Sequence, residues 1–151
     1  MTSKHPIQIL VADDDADDRL LIGDAFKEAR LKNPVDYVED GVELLEYLNR
    51  VGKYDVLKDK HLPGIILLDL NMPRMDGRTA LREIRSSEVL KHIPVVILTT
   101  SQSEEDILKT YNLGVNSFIT KPVTFEGLCK VISVIGEYWI QIVALPDDGE
   151  P

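Results

Sequence analysis

Five short apolar runs alternate with five helix-like stretches along the chain. The runs Ile7 to Ala12, Val35 to Glu39, Gly64 to Asp69, Pro94 to Thr99 and Ser117 to Thr120 have the length of strands. Helical patterns begin near Ala16, Gly41, Gly77, Ser103 and Thr124. In the first, Leu20, Leu21, Ala25, Phe26 and Ala29 recur at helical spacing and predict one apolar stripe; Leu128, Val131, Ile132, Ile135 and Trp139 do so in the last. The run Gly64-Ile65-Ile66-Leu67-Leu68 is rich in branched aliphatics and has no polar interruption, so it reads as a strand covered on both faces. Alternating βα units of this length predict an α/β fold, a parallel sheet wound on both faces by right-handed crossovers.

Two segments break the alternation. Val51 to Pro63 is polar and mixed, and is expected to form a long surface loop extending the second helix or its exit. The tail opens apolar (Ile140, Ile142, Val143, Leu145) and ends Pro146-Asp147-Asp148-Gly149-Glu150-Pro151. Residues 146–151 are expected to be disordered. The apolar part must be covered, either by this domain or by another chain. A length of 151 residues, 44% apolar and 28% charged, suits one globular domain over 1–145 and leaves no room for a second. No apolar stretch reaches the length of a membrane span, and since the first residues lead straight into a strand-like run no secretory signal is expected. Cys129 is the only cysteine, so no internal disulfide forms and a cytoplasmic location is expected. The formal net charge of −9, with no basic run, argues against a nucleic-acid surface.

The chemistry gathers where the strands end. Asp13 and Asp14 follow the first strand, Asp69 closes the third, and Thr99-Thr100-Ser101 closes the fourth. Lys121, followed by Pro122, comes directly after the fifth. In a doubly wound sheet these ends share one edge, and open α/β sheets place their ligands there. In the flavodoxin-like order 2-1-3-4-5 the first and third strands are neighbours, so their carboxylates meet at the switch point. Carboxylates that close repel one another, and a hard divalent cation with oxygen ligands, Mg2+ above all, would relieve them. With an ammonium from Lys121 and a hydroxyl from Thr99, the set is what an in-line phosphoryl transfer to a carboxylate needs. Each part also has a plainer explanation. Asp15, Asp17 and Asp18 begin a helix, where acidic residues cap the chain and favour the dipole. A solitary Thr99 would be an ordinary strand residue and a solitary Lys121 a solvated charge.

The signature Asp13-Asp14, Leu68-Asp69-Leu70-Asn71-Met72-Pro73-Arg74-Met75-Asp76-Gly77, Leu98-Thr99-Thr100-Ser101 and Lys121-Pro122 resembles the receiver domain of two-component response regulators. The resemblance runs from Ile7 to about Trp139. It implies that Asp69 accepts a phosphoryl group from a phosphohistidine. Asp14, Asp69 and the backbone carbonyl of Asn71 would bind Mg2+, and Asp13 would act through metal-bound water. Thr99 and Lys121 would contact the phosphoryl oxygens, and Thr99 with Phe118 would form the switch. Phe118 stands where many receivers carry a tyrosine, and Thr100 where alanine is common. The long loop before the third strand, the Leu-Thr-Thr-Ser run and the Tyr138-Trp139 ending resemble stand-alone receivers of the cyanobacterial phytochrome type.

No output motif follows Pro122, so the signal is expected to leave by protein–protein contact through the face of the fourth helix, fifth strand and fifth helix. The implied partners are a sensor histidine kinase, of phytochrome type on the subgroup resemblance, and a histidine phosphotransfer protein. The stripe on the last helix with Trp139, Ile142 and Val143 either packs on its own sheet or forms a homodimer interface. The expectation is a signalling switch rather than an enzyme. Two rivals stay open: an Asp-nucleophile phosphatase, which would want an acid two residues after Asp69 where Asn71 stands, and a degenerate receiver acting only as a binding scaffold.

Overall fold

A computed structural model describes residues 7–29, 33–100, 117–121 and 125–135. Its elements are β1 (Ile9–Ala12), α1 (Ala16–Glu28), β2 (Val35–Val38), α2 (Gly41–Asn49), a 3-10 helix (Gly52–Leu57), β3 (Ile65–Asp69), α3 (Gly77–Ser86), β4 (Val95–Thr100), β5 (Ser117–Lys121) and a last helix (Phe125–Ile135). The strands form one parallel sheet in the order β2-β1-β3-β4-β5. The flavodoxin-like α/β expectation therefore holds. The helix expected near Ser103, the Trp139 to Leu145 extension, the tail from 146 and the boundary at 145 lie outside the described residues.

The uninterrupted apolar runs follow from a sheet with two covered faces. Leu10, Ala12, Ile66, Leu68, Val95 and Ile97 point to one side, against Leu44, Tyr47 and Leu48 of α2 and Ala80, Leu81 and Ile84 of α3. The alternate residues Ile9, Val11, Ile65, Leu67, Val96 and Leu98 point to the other, against Ile22, Ala25 and Phe26 of α1 and Leu128 and Ile132 of the last helix. This is the period-two alternation of a strand, with both faces dry. Full burial of each such side chain contributes about 1.5–3 kcal/mol. Leu128 and Ile132 thus belong to their own domain's core, which accounts for that part of the last helix's stripe.

One expectation needs correction and a second gains detail. The stripe of α1 runs through Ile22, Ala25 and Phe26, while Leu20 is 67% exposed. At 100° per residue, Leu20 falls nearly opposite Ile22 and Ala29 and faces solvent. The second concerns Val51 to Pro63. It is the surface segment expected, and within it Gly52–Leu57 forms a 3-10 helix whose Tyr54 and Leu57 pack with Leu62 against the core. The Tyr54 ring meets Tyr47 edge-on at 5.0 Å, and its hydroxyl donates to Glu43. Arg50 ends α2 in the left-handed conformation (φ 58°) and donates to the carbonyls of Tyr47 (2.8 Å) and His61 (2.9 Å). The segment is fastened at both ends.

Candidate functional site

The parallel register sets the acidic residues side by side. Ala12 pairs with Leu68, so Asp13 and Asp69 follow at the same level on adjacent strands. The Asp13 amide donates to the Val38 carbonyl at 3.0 Å, which keeps Asp13 in line with the sheet. Carboxylate oxygens of Asp13, Asp14 and Asp69 all lie within 4.8 Å of one another. Asp13 is 0% and Asp69 4% exposed, whereas Asp14 is exposed, so the cluster is walled in below and open to solvent above.

Local hydrogen bonds hold the carboxylates. Asp13 Oδ1 accepts from the Asp15 amide at 3.0 Å, and Asp69 Oδ1 accepts from the Asn71 amide at 3.1 Å. Asp15 caps α1, accepting from the amides of Asp17 (2.8 Å) and Asp18 (3.1 Å). The capping expectation for the start of this helix is therefore met by Asp15, with Asp17 and Asp18 in the first turn beside the positive end of the dipole. The set of oxygen donors, two buried and one exposed, fits a hard divalent cation that keeps water or substrate oxygens on its open side.

The other predicted residues arrive through the sheet. Asp69 pairs with Leu98 and Thr99 with Thr120, while Thr100 pairs with Lys121. The backbones of Asp69, Thr99 and Lys121 therefore stand at the carboxyl ends of three successive strands, about 4.8 Å apart per strand. Phe118 pairs with Ile97, deeper in the sheet. For Thr99, Phe118 and Lys121 the description is of the backbone.

Several residues that support the site were not singled out in the sequence. Arg19 donates from Nη1 to the Asp13 carbonyl at 2.7 Å, and its Nη2 lies 3.7 Å from Glu39. Arg74 embraces Asp40, with Nε to Oδ2 at 2.9 Å and Nη2 to Oδ1 at 3.2 Å. Burial alone would raise the Asp40 carboxyl's pKa, but Arg74 and the amides of Glu43 and Val42 outweigh it and hold it below the ordinary value. Gly77 has a steric duty, since a Cβ there would lie 2.3 Å from the Asp69 carbonyl oxygen and 2.8 Å from Leu70 Cα. The Asp-Gly pairs at 40–41 and 76–77 were the visible signals, since each places an N-cap before a tight entry into a helix.

Sheet order, strand-end acids and register together define a protein class. Residues 9–133 match the family described as response regulator receiver domain, and the chain belongs to it. It is thus a receiver of two-component signalling. It is 36% identical over 144 residues to the response regulator Rcp1 of Synechocystis sp., covering 95% of this chain and 96% of that one. The Mn2+-bound form of Rcp1 is similar at a TM-score of 0.80 and 36% identity, over 94% of this chain and 100% of that one. The phosphorylated cyanobacterial phytochrome response regulator RcpA is similar at a TM-score of 0.81 and 39% identity, over 95% of this chain and 99% of that one. Chemotaxis protein CheY-3 of Vibrio cholerae is 30% identical over 131 residues, 87% of this chain and 92% of that one. Among the described residues no helix is long and apolar enough to cross a membrane.

Proposed function

We propose that this receiver takes a phosphoryl group on Asp69 from the phosphohistidine of a sensor histidine kinase, in a Mg2+-dependent reaction. The observation that carries the reading is the convergence of Asp13, Asp14 and Asp69 oxygens within 4.8 Å at the end of the sheet. Asp14, Asp69 and the Asn71 carbonyl would hold the metal directly, and Asp13 through water. When bound, Mg2+ supplies positive charge against the phosphoryl oxygens. An Asp69 carboxylate oxygen attacks phosphorus as the P–N bond breaks, and the bonding electron pair returns to the donor imidazole. Burial of Asp69 limits the directions of attack, and the open side at Asp14 admits the donor. Lys121 then pairs with the phosphoryl oxygens, and Thr99 donates its hydroxyl to them.

The acyl phosphate adds charge and acceptor oxygens beside Thr99 and Lys121. Drawing the Thr99 hydroxyl inward vacates space for Phe118, and the face of the fourth predicted helix, β5 and the last helix is reshaped. Differential affinity for a partner follows from that population shift. The likeness to phytochrome response regulators supports a kinase of phytochrome type in the cytoplasm, and onward transfer to a histidine phosphotransfer protein uses the same carboxylate. Asn71, where a phosphatase of this chemistry would want an acid, favours a switch over a turning-over enzyme. The full set of acids, hydroxyl and lysine favours it over a binding scaffold.

Labelling by radioactive acetyl phosphate tests the proposal. Wild type takes up one phosphoryl group with Mg2+ and none with EDTA, and Asp69→Asn takes up none. Undiminished labelling of Asp69→Asn overturns it.

A further inference from the structure

The loop that follows Asp69 carries Asn71 and ends at Gly77, the first residue of α3. Its base is closed by the Gly77 amide, which donates to the Leu70 carbonyl at 2.9 Å. Its tip is held differently. Arg74 sits in the left-handed region at φ 65°, a conformation that disfavours any side chain with a Cβ. The surrounding structure must hold it there. Two links do so, both to the corner between β2 and α2. The Gly41 amide donates to the Met75 carbonyl at 3.0 Å, and Arg74 makes its two-pronged contact with Asp40. The corner fits closely, since a Cβ on Gly41 would lie 2.4 Å from the Met75 carbonyl oxygen. Asp40 is itself held in place, because it caps α2 through the Glu43 amide at 2.8 Å and is 8% exposed.

We propose that Asp40 and Arg74 are positioning residues for the metal site: their ion pair fastens the tip of the loop and so fixes where the Asn71 carbonyl stands relative to Asp69. They act through the backbone between them and Asn71, much as partners behind a metal's ligands set its affinity. The same corner serves the other acidic loop, since Glu39 faces Arg19, whose guanidinium holds the Asp13 carbonyl. The β2–α2 corner thereby touches both loops that bear the carboxylates. The inference rests on the receiver reading above.

The test uses the intact chain with three variants. Asp40→Asn keeps a good helix cap and nearly the same shape but removes the charge. Arg74→Ala removes the guanidinium at an exposed position. Arg74→Gly also removes it but relieves the left-handed strain. Mg2+ affinity is measured by titration calorimetry, thermal unfolding is followed on the same samples, and the amide resonance of Asn71 is recorded without metal. The expected result is Mg2+ binding weakened by about tenfold in all three, with a shifted Asn71 resonance before any metal is added. The Asp40→Asn, Arg74→Ala double variant is expected to be no weaker than either single one, because both remove the same pair. Wild-type Mg2+ affinity and an unmoved Asn71 resonance in the variants overturn the proposal alone. A weakening confined to Arg74→Ala and absent in Arg74→Gly and Asp40→Asn also overturns it, since strain rather than the pair would be responsible. A wild-type protein that binds no Mg2+ overturns the proposed Mg2+-dependent function and this inference with it.

Discussion

Replacing Gly77 with alanine tests whether the acid-bearing strand end is held by close packing. The added Cβ would lie 2.3 Å from the Asp69 carbonyl oxygen and 3.0 Å from the Asp69 carbonyl carbon. Carbon and oxygen settle at about 3.3 Å, so the two backbones must separate by about 1 Å. Both partners are main chain, one in a central strand and one opening α3, so neither can rotate away. Forcing extra volume into a packed site costs typically about 1–3 kcal/mol. The helix preference of alanine over glycine returns about 0.5–1 kcal/mol of that. A net loss of about 1 kcal/mol corresponds to a melting point lowered by about 2–4 °C for a chain of this size.

The chemistry is expected to suffer more than the stability. A displacement of this size at a reacting group can cost about a hundredfold in rate, so acetyl phosphate labelling of Gly77→Ala should fall by that order. Gly52→Ala is the control. Gly52 has φ 62° and nothing within 4 Å of a built Cβ, so alanine there meets backbone strain without a clash. It should lose about 1 kcal/mol and keep wild-type labelling. Thermal unfolding and labelling with both variants decide the matter. A Gly77→Ala protein that melts and labels as wild type would refute the packing argument.

Three other expectations can be checked with the same protein. Leu20→Ser should change stability by less than about 0.5 kcal/mol, because the side chain is 67% exposed, while Ile22→Ala should cost about 2–5 kcal/mol; urea unfolding of the pair tests the corrected face of α1. Asp40, Glu43 and Asp76 all titrate below their ordinary values of 3.8, 4.5 and 3.8 when folded, burial opposing the shift and hydrogen bonds overriding it. Their contribution is complete above those values and lost as pH falls through the lower folded ones, so stability should decline below about pH 4 and Asp76→Asn should flatten that decline. Removing the Tyr54 hydroxyl as Tyr54→Phe leaves its partly buried partner Glu43 with one donor fewer and should cost about 1 kcal/mol, read as a lower urea midpoint with an unchanged slope.

Which parts of this molecule were legible in its sequence depends on the range over which each is determined. The central strands β1, β3 and β4 were, because a strand covered on both sides demands apolar residues at every position, as the run Ile65 to Leu68 provides. The acidic cluster was legible for a related reason. Once βα alternation fixes a doubly wound sheet, position along the strand fixes position on the edge, and Asp13, Asp14 and Asp69 have nowhere else to meet. The face of α1 was harder. Leu20, Leu21 and Ile22 are three apolar residues in succession, and only the sheet beneath selects Ile22 with Ala25 and Phe26.

The 3-10 helix and the two arginine ties were illegible for a deeper reason. Short 3-10 turns impose no repeating pattern on a sequence. What orders Gly52–Leu57 is Tyr54 reaching back to Glu43 and Tyr47 on α2. Arg74 and Asp40 are 34 residues apart, on loops that periodicity does not describe, and a flexible guanidinium can find many acids. Periodic burial therefore specifies where the acids lie to within a strand spacing, but metal binding demands placement several times finer. That remaining precision has to come from aperiodic contacts: the Arg19 bond to the Asp13 carbonyl, the close fit of Gly77 under Asp69 and the Arg74 grip on Asp40. It follows that substitutions at these positions should disturb phosphoryl acceptance out of proportion to their effect on folding, whereas core substitutions on β1 and β3 should do the reverse.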